Sequence, residues 1–313
     1  MVCSVVVPMY NEQEVINESY KRLKAVMDGT GESYELIFVN DGSRDATAAI
    51  AREICSKDKN VKLIDFVRNF GHQIAITAGM DYSQGDSVIV IDADLQDPPE
   101  IIPQMLEKWR EGYDVVYGLR VKREGETFFK KLTSKLFYRT LTGLTEVDIP
   151  VDTGDFRLID RKVCEALKRI EERNRYVRGL ISWLGFKSAP VEFVREKRFA
   201  GTTKYPLKKM INLAEDAIMS FSYKPLKISS YFGGIVSVFS FLYLIVMVIL
   251  KLINKINTIQ GWASLVAIML FFNGLMLIML GIIGGYIGRI YEEAKKRPLY
   301  LIRDFVNFDK EEK

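Results

Sequence analysis

Histidine and cysteine are nearly missing from this chain of 313 residues, which holds one of the first and three of the second. Cys3, Cys55 and Cys164 lie far apart with no Cys-x-x-Cys spacing, which fits reduced thiols better than bridges or a zinc site. The lone His72 excludes a multi-histidine metal centre. Two glycine signatures are absent as well. No Gly-x-Gly-x-x-Gly follows the first apolar run, against a nicotinamide-binding Rossmann domain, and no Gly-x-x-x-x-Gly-Lys-Ser/Thr supplies a P-loop. The net charge of +4 is modest, and the basic residues cluster beside apolar segments, which favours anionic lipid over nucleic acid.

Charge is also missing from two long stretches. Residues 228–250 carry none, and after Lys251 and Lys255 a second uncharged run extends over 256–288. Each exceeds the roughly 20 residues that cross a hydrocarbon core as a helix. Both are apolar on every face, so the sequence predicts two transmembrane helices, about Tyr231 to Leu250 and Trp262 to Gly288. Lys204, Lys208, Lys209, Lys224 and Lys227 precede the first, and Arg289, Lys295, Lys296, Arg297 and Arg303 follow the second. The positive-inside rule then places both termini, and the N-terminal domain with them, in the cytoplasm of a multi-pass inner-membrane protein. Glycines 281, 284, 285 and 288 allow close helix contact, within one hairpin or in a homo-oligomer.

The remainder alternates short apolar strands with helical periodicity. Strands are expected at Val2 to Pro8, Leu36 to Asn40, Val61 to Phe66, Ser87 to Ile91 and Tyr113 to Gly118, with helices at Glu14 to Met27, Ala46 to Cys55 and Pro99 to Arg110. That order predicts an α/β domain with a mostly parallel sheet. The chain divides into a catalytic domain over 1–205, an amphipathic juxtamembrane helix over 206–227, a two-helix hairpin over 228–290 and a tail over 291–313. Ligands of such sheets bind beyond the carboxyl ends of the strands. Those ends carry Pro8-Met9-Tyr10-Asn11-Glu12, Asn40-Asp41-Gly42-Ser43, Arg68-Asn69-Phe70-Gly71 and Asp92-Ala93-Asp94, which would share one pocket.

Asp92 and Asp94 are the most informative pair. Residues two apart in a strand point the same way, so both carboxylates can converge on one cation. Hard oxygen ligands suit Mg²⁺ or Mn²⁺, with phosphate oxygens completing the shell, and a nucleoside diphosphate is the natural partner.

Val-Pro-Met-Tyr-Asn-Glu, Val-Asn-Asp-Gly-Ser, Arg-Asn-Phe-Gly, Asp-Ala-Asp-Leu-Gln-Asp-Pro-Pro-Glu, Thr153-Gly154-Asp155-Phe156-Arg157 and the two spans together resemble the polyprenyl-phosphate glycosyltransferases. Within them the chain is most similar to the bactoprenol (undecaprenyl-phosphate) glucosyltransferase group, relatives of dolichol-phosphate mannose synthase. The resemblance implies a GT-A fold, a UDP-sugar donor, a divalent cation and inverting transfer onto a lipid phosphate. It implies that Pro8, Tyr10, Glu12 and Asp41 line the uridine pocket, that Asp92 contacts the nucleotide, and that Asp94 with Gln96 holds the metal. Asp155 would orient the sugar or act as a base. Arg120, Arg123, Arg198 and Lys204 are candidates for the acceptor phosphate, the last two in a segment that resembles the family's acceptor-side loop.

Phe128 to Leu141 and Leu207 to Phe221 have the spacing of helices lying in the membrane interface or packed on the domain. A non-catalytic nucleotide-sugar scaffold would have no need of metal ligands. A processive synthase generally shows Gln-x-x-Arg-Trp, which Glu172-Arg173-Asn174-Arg175-Tyr176 does not match, and two spans are too few to line a flippase path. The sugar stays open between glucose, N-acetylglucosamine and others.

Overall fold

The structure, a computed structural model, describes residues 2–122, 153–195, 222–253 and 261–308. Its centre is one eight-stranded sheet in the order β7-β5-β6-β4-β1-β2-β3-β8. The strands are β1 (Cys3–Met9), β2 (Tyr34–Asn40), β3 (Val61–Phe66), β4 (Ser87–Val90), β5 (Val115–Lys122), β6 (Thr153–Asp160), β7 (Ser188–Val194) and β8 (Ile302–Val306). β1 pairs in parallel with β2 and β4, as do β2 with β3 and β5 with β7. β6 runs antiparallel between β4 and β5, and β8 antiparallel on the outer edge of β3.

β1, β2 and β3 are buried at every position because helices cover both faces of the sheet. Val5, Val7 and Met9 point into one core with Leu23 and Met27 of α1 (Ile16–Thr30), Ala51 of α2 (Thr47–Lys57) and Met105 of α4 (Ile102–Arg110). Val6, Val39 and Ile64 point into the other, with Ala75 and Ile76 of α3 (His72–Asp81), Val163 of α5 (Arg161–Lys168) and Leu180 of α6 (Val177–Leu184). Burying each such side chain contributes about 1.5–3 kcal/mol, so these two cores dominate the stability of the domain. α3 is absent from the sequence reading because it has no polar stripe: Ala75 to Met80 are all buried. It lies so close to β1 that a Cβ on Gly79 would strike the Val6 side chain.

Two long helices follow, α7 (Lys224–Leu252) and α8 (Trp262–Ala294). Tyr286 Oη of α8 donates to the Ser222 carbonyl at 2.7 Å, and a Cβ on Gly233 would lie 3.9 Å from Met279, so the helices run antiparallel. Among the described residues one stretch, Ile268–Ala294, is long and apolar enough to cross a membrane, and none of its apolar window is buried in protein. The corresponding stretch of α7, Ser229–Tyr243, is shorter than a hydrocarbon core requires, so only one of the two expected spans meets that measure. The amphipathic segment Phe128 to Leu141, and all of Leu207 to Phe221, lie outside the described residues.

The segment expected as a tail does more than trail. α8 continues to Ala294, and β8 then returns to the sheet. Asn307 Nδ2 donates to the carbonyls of Val61 (2.7 Å) and Cys55 (2.8 Å), while Tyr300 stacks on Phe66 with ring centroids 5.4 Å apart. Arg52 also pairs with Asp304, but exposed ion pairs contribute only about 0–1 kcal/mol. The backbone ladder and the cluster of Tyr82, Tyr300, Phe305 and Phe308 therefore hold β8 in place.

Candidate functional site

The carboxyl ends of the central strands are tied to one another by their polar motifs. Asn11 N donates to Ser43 Oγ at 3.0 Å and Arg44 N to Asn11 Oδ1 at 2.8 Å, which joins the loop after β1 to that after β2. Asp41 joins the latter to the loop after β3, accepting from Asn69 Nδ2 (2.8 Å), Phe70 N (2.6 Å) and Gly71 N (3.0 Å). Burial pushes the Asp41 carboxyl up and the two backbone donors pull it back. Gly42 closes this clasp: its φ is +63°, and a Cβ there would strike the backbone of Arg68. Asp41, expected to line the uridine pocket, is thus 3% exposed, with both oxygens committed to bracing the 69–71 turn. Of the other residues expected there, Pro8 is buried inside β1 and Tyr10 and Glu12 are part-exposed at the start of the loop that follows it.

Beyond β4 the alternation that the sequence predicts continues. Ile91, Ala93, Leu95 and Asp97 are buried, whereas Asp92, Asp94 and Gln96 are part-exposed. Asp94 Oδ1 accepts from Gln96 N at 3.1 Å, which tightens the turn, and Leu95 takes a left-handed φ of +57°. Asp92 Oδ1 is buried without a hydrogen-bond partner. Among the described residues no three His, Cys, Asp or Glu side chains form a closed cage. The part-exposed Asp94 carboxylate fits an open oxygen site that would share a Mg²⁺-like cation with ligand phosphates. The Gln96 amide oxygen expected on that cation accepts from Arg195 Nη2 at 2.8 Å, so a guanidinium supplies the positive charge there.

Asp155 reaches this edge from β6. Arg178 Nε lies 2.9 Å from its Oδ1, and His72 Nε2 lies 3.2 Å from its Oδ2 and 3.4 Å from Asp92 Oδ1. Gln73 Nε2 adds a bond to Asp155 Oδ2 at 3.4 Å, and its Oε1 accepts from Val177 N at 2.9 Å, fastening the first turns of α3 and α6 together. Burial pushes Asp155 up, but Arg178 and His72 outweigh it and hold the carboxyl well below the usual range. A carboxylate held so low is a poor proton acceptor, and of its two expected roles orientation fits better than base. For His72 burial acts downward, yet Asp92 and Asp155 raise it to about 9. Asp92 is raised, chiefly by burial.

A second acidic anchor escaped the sequence reading. Asp97 is 1% exposed and receives Arg120 Nη2 at 3.1 Å, with Arg195 Nε at 3.9 Å. Arg120, expected on the acceptor phosphate, is therefore already compensated by a carboxylate. A Cβ on Gly154 would strike this Arg120 guanidinium, which explains the glycine beside Asp155. Arg123, Arg198 and Lys204 lie outside the described residues. The signal for Asp97 was its place three residues past a metal-type pair, and for His72 its place directly after the glycine of the loop beyond β3.

A GT-A-like sheet with an acidic edge defines the class, and residues 4–168 match the family described as glycosyl transferase family 2. The chain belongs to that family and is a glycosyltransferase. It is 61% identical over 300 residues to the uncharacterized glycosyltransferase YkcC of Bacillus subtilis, covering 96% of this chain and 93% of the relative. It is 41% identical over 304 residues to the bactoprenol glucosyl transferase of Shigella phage SfV, covering 97% and 99%. A prophage-derived bactoprenol glucosyl transferase of Shigella flexneri is 42% identical over 303 residues, covering 97% and 98%.

Proposed function

We propose that this enzyme transfers one sugar, glucose, from its UDP derivative to undecaprenyl phosphate at the cytoplasmic face of the inner membrane, with inversion and with Mg²⁺ or Mn²⁺ bound. The observation that carries the reading is the meeting of the Asp92-Asp94-Gln96 face with Asp155 through His72 at one edge of the sheet. The names of the bactoprenol glucosyl transferase relatives, matched nearly end to end, support the choice of lipid and of glucose.

The lipid phosphate is ionised near neutral pH, so its oxygen attacks the anomeric carbon without a general base, from the face opposite the leaving UDP. Asp155 orients the sugar, Asp92 contacts the nucleotide, and Pro8, Tyr10 and Glu12 border the uridine. Asp94 would hold the cation, which when bound would offset charge developing on the leaving diphosphate, and Arg195 at Gln96 adds positive charge beside it. Arg198 and Lys204 receive the acceptor phosphate with Arg123, through charge-assisted hydrogen bonds.

Topology supports two membrane crossings. β8 lies in the same sheet as β1 to β7, so the chain returns to the side from which it entered α7. A crossing by α8 alone would leave β8 on the wrong side, and the antiparallel contact of Ser222 with Tyr286 fits a hairpin. The basic residues at both ends of that hairpin support a cytoplasmic sheet.

The test uses the full chain in detergent with undecaprenyl phosphate, a divalent cation and labelled UDP-sugars, following label into the organic phase with and without EDTA. EDTA-sensitive transfer from UDP-glucose supports the proposal. Transfer from another UDP-sugar alone corrects the donor, and no transfer from any of them by folded protein removes the reading.

A further inference from the structure

His72 stands between two carboxylates that reach the site on separate strands, and no other described cation touches both. Its Nε2 lies 3.2 Å from Asp155 Oδ2 and 3.4 Å from Asp92 Oδ1. Asp155 has other partners in Arg178 and Gln73, but Asp92 Oδ1 has no hydrogen bond at all. Among the described residues the imidazole is the cation in contact with this Asp92 oxygen. Two like charges drawn together in a poorly solvated edge repel one another, and a shared cation between them removes the repulsion and sets their separation.

The placement of His72 is itself over-determined. It opens α3 immediately after Gly71, whose φ of +106° only glycine takes readily and whose amide is held by Asp41. Gln73, the next residue, ties that turn to Val177 at the start of α6. The ring is still about one-third exposed, at 32%, so it faces the site and is not a core filler.

We propose that His72 is a positioning residue for sugar transfer: by bridging Asp92 and Asp155 it holds them as one rigid acidic edge, against which the sugar of the donor is aligned. This rests on the glycosyl-transfer reading above. The imidazole touches neither the reacting carbon nor the cation, and acts through the two carboxylates. Loss of the bridge frees Asp92, which borders the nucleotide, while Arg178 still holds Asp155, so turnover falls further than donor affinity does.

Two measurements decide the matter, both on the full chain in detergent. The chain has one histidine, so ¹⁵N-histidine labelling gives a single imidazole to observe. Asp155→Asn and Asp92→Asn each shift its resonances if the bridge exists, and resonances unmoved by either substitution overturn it. This arm requires no turnover and stands even if no lipid acceptor is found. In the transfer assay His72→Leu lowers kcat about 10- to 100-fold, the range for losing hydrogen bonds to charged groups, while affinity for UDP with Mg²⁺ by titration calorimetry changes less than about threefold. His72→Gln, which keeps one donor and serves if the leucine variant does not fold, recovers part of kcat. An unchanged kcat in either folded variant, or a loss expressed wholly as weaker UDP binding, rejects the role.

Discussion

Arg178 spans both oxygens of Asp155 and shares one of them with His72: its Nε lies 2.9 Å from Oδ1 and its Nη2 donates to Oδ2 at 3.4 Å, while the imidazole lies 3.2 Å from Oδ2. The carboxylate is only 9% exposed, so neither contact is a surface ion pair.

Removing the guanidinium leaves a buried charge without its main partner. Arg178→Ala is expected to destabilise the domain by about 3–5 kcal/mol, the usual cost of breaking such a pair, and to abolish most turnover. Chemical unfolding of the full chain in detergent checks the first figure. A loss below about 1 kcal/mol would mean that solvent already screens the pair.

The same geometry sets a pH dependence. His72 is raised from its ordinary 6.5 to about 9 despite burial, because Asp92 and Asp155 favour its charged form. A raised value means its contribution to stability is complete below pH 6.5 and is lost as pH rises through about 9. The thermal midpoint should fall across that window, and the fall should vanish in His72→Gln. Asp155, held low, gives the opposite limb: its contribution is full above the ordinary carboxylate range and is lost only in strong acid.

Asp94 is part-exposed and its removal leaves no core cavity. Asp94→Asn is therefore expected to keep the fold, with an unchanged melting profile, and to lower transfer at least about 100-fold, the scale for losing an electrostatic group at a developing charge. Cation titration of the variant should show weakened dependence. Retained turnover with unaltered metal response would remove Asp94 from the cation site.

Gly154 has no room for a side chain. Gly154→Ala must displace Arg120 from Asp97, since its Cβ would also lie 3.3 Å from Asp97 Oδ2. The expected cost is about 1–3 kcal/mol of overpacking strain, together with reduced turnover at the adjacent Asp155. Wild-type stability in the alanine variant would show that Arg120 has a second resting place.

The repeating part of the fold was legible in the sequence because β-branched runs ending at Pro8, Asn40 and Phe66 have only one use in an α/β chain. The Asp92-Ala93-Asp94 turn was legible for the same local reason. What escaped were features set by distant partners. α3 hides because it is buried nearly all round, and β8, Ile-Arg-Asp-Phe-Val, reads as a polar tail because an edge strand shows half its residues to water. His72 and Arg178 carry no motif of their own, and Asp97 sits in a motif that does not reveal its part, so their meaning comes from which carboxylate or guanidinium each one meets.

The strand β8 ties the order of synthesis to the completion of the domain. Its residues leave the ribosome after both long helices, yet they pair with β3, made among the first 66 residues. Until then the outer edge of β3 presents unpaired amides and carbonyls, a template for mispairing with other chains. That edge stays open until the chain has been made as far as Val306, so closure of the sheet waits on residues that follow both long helices.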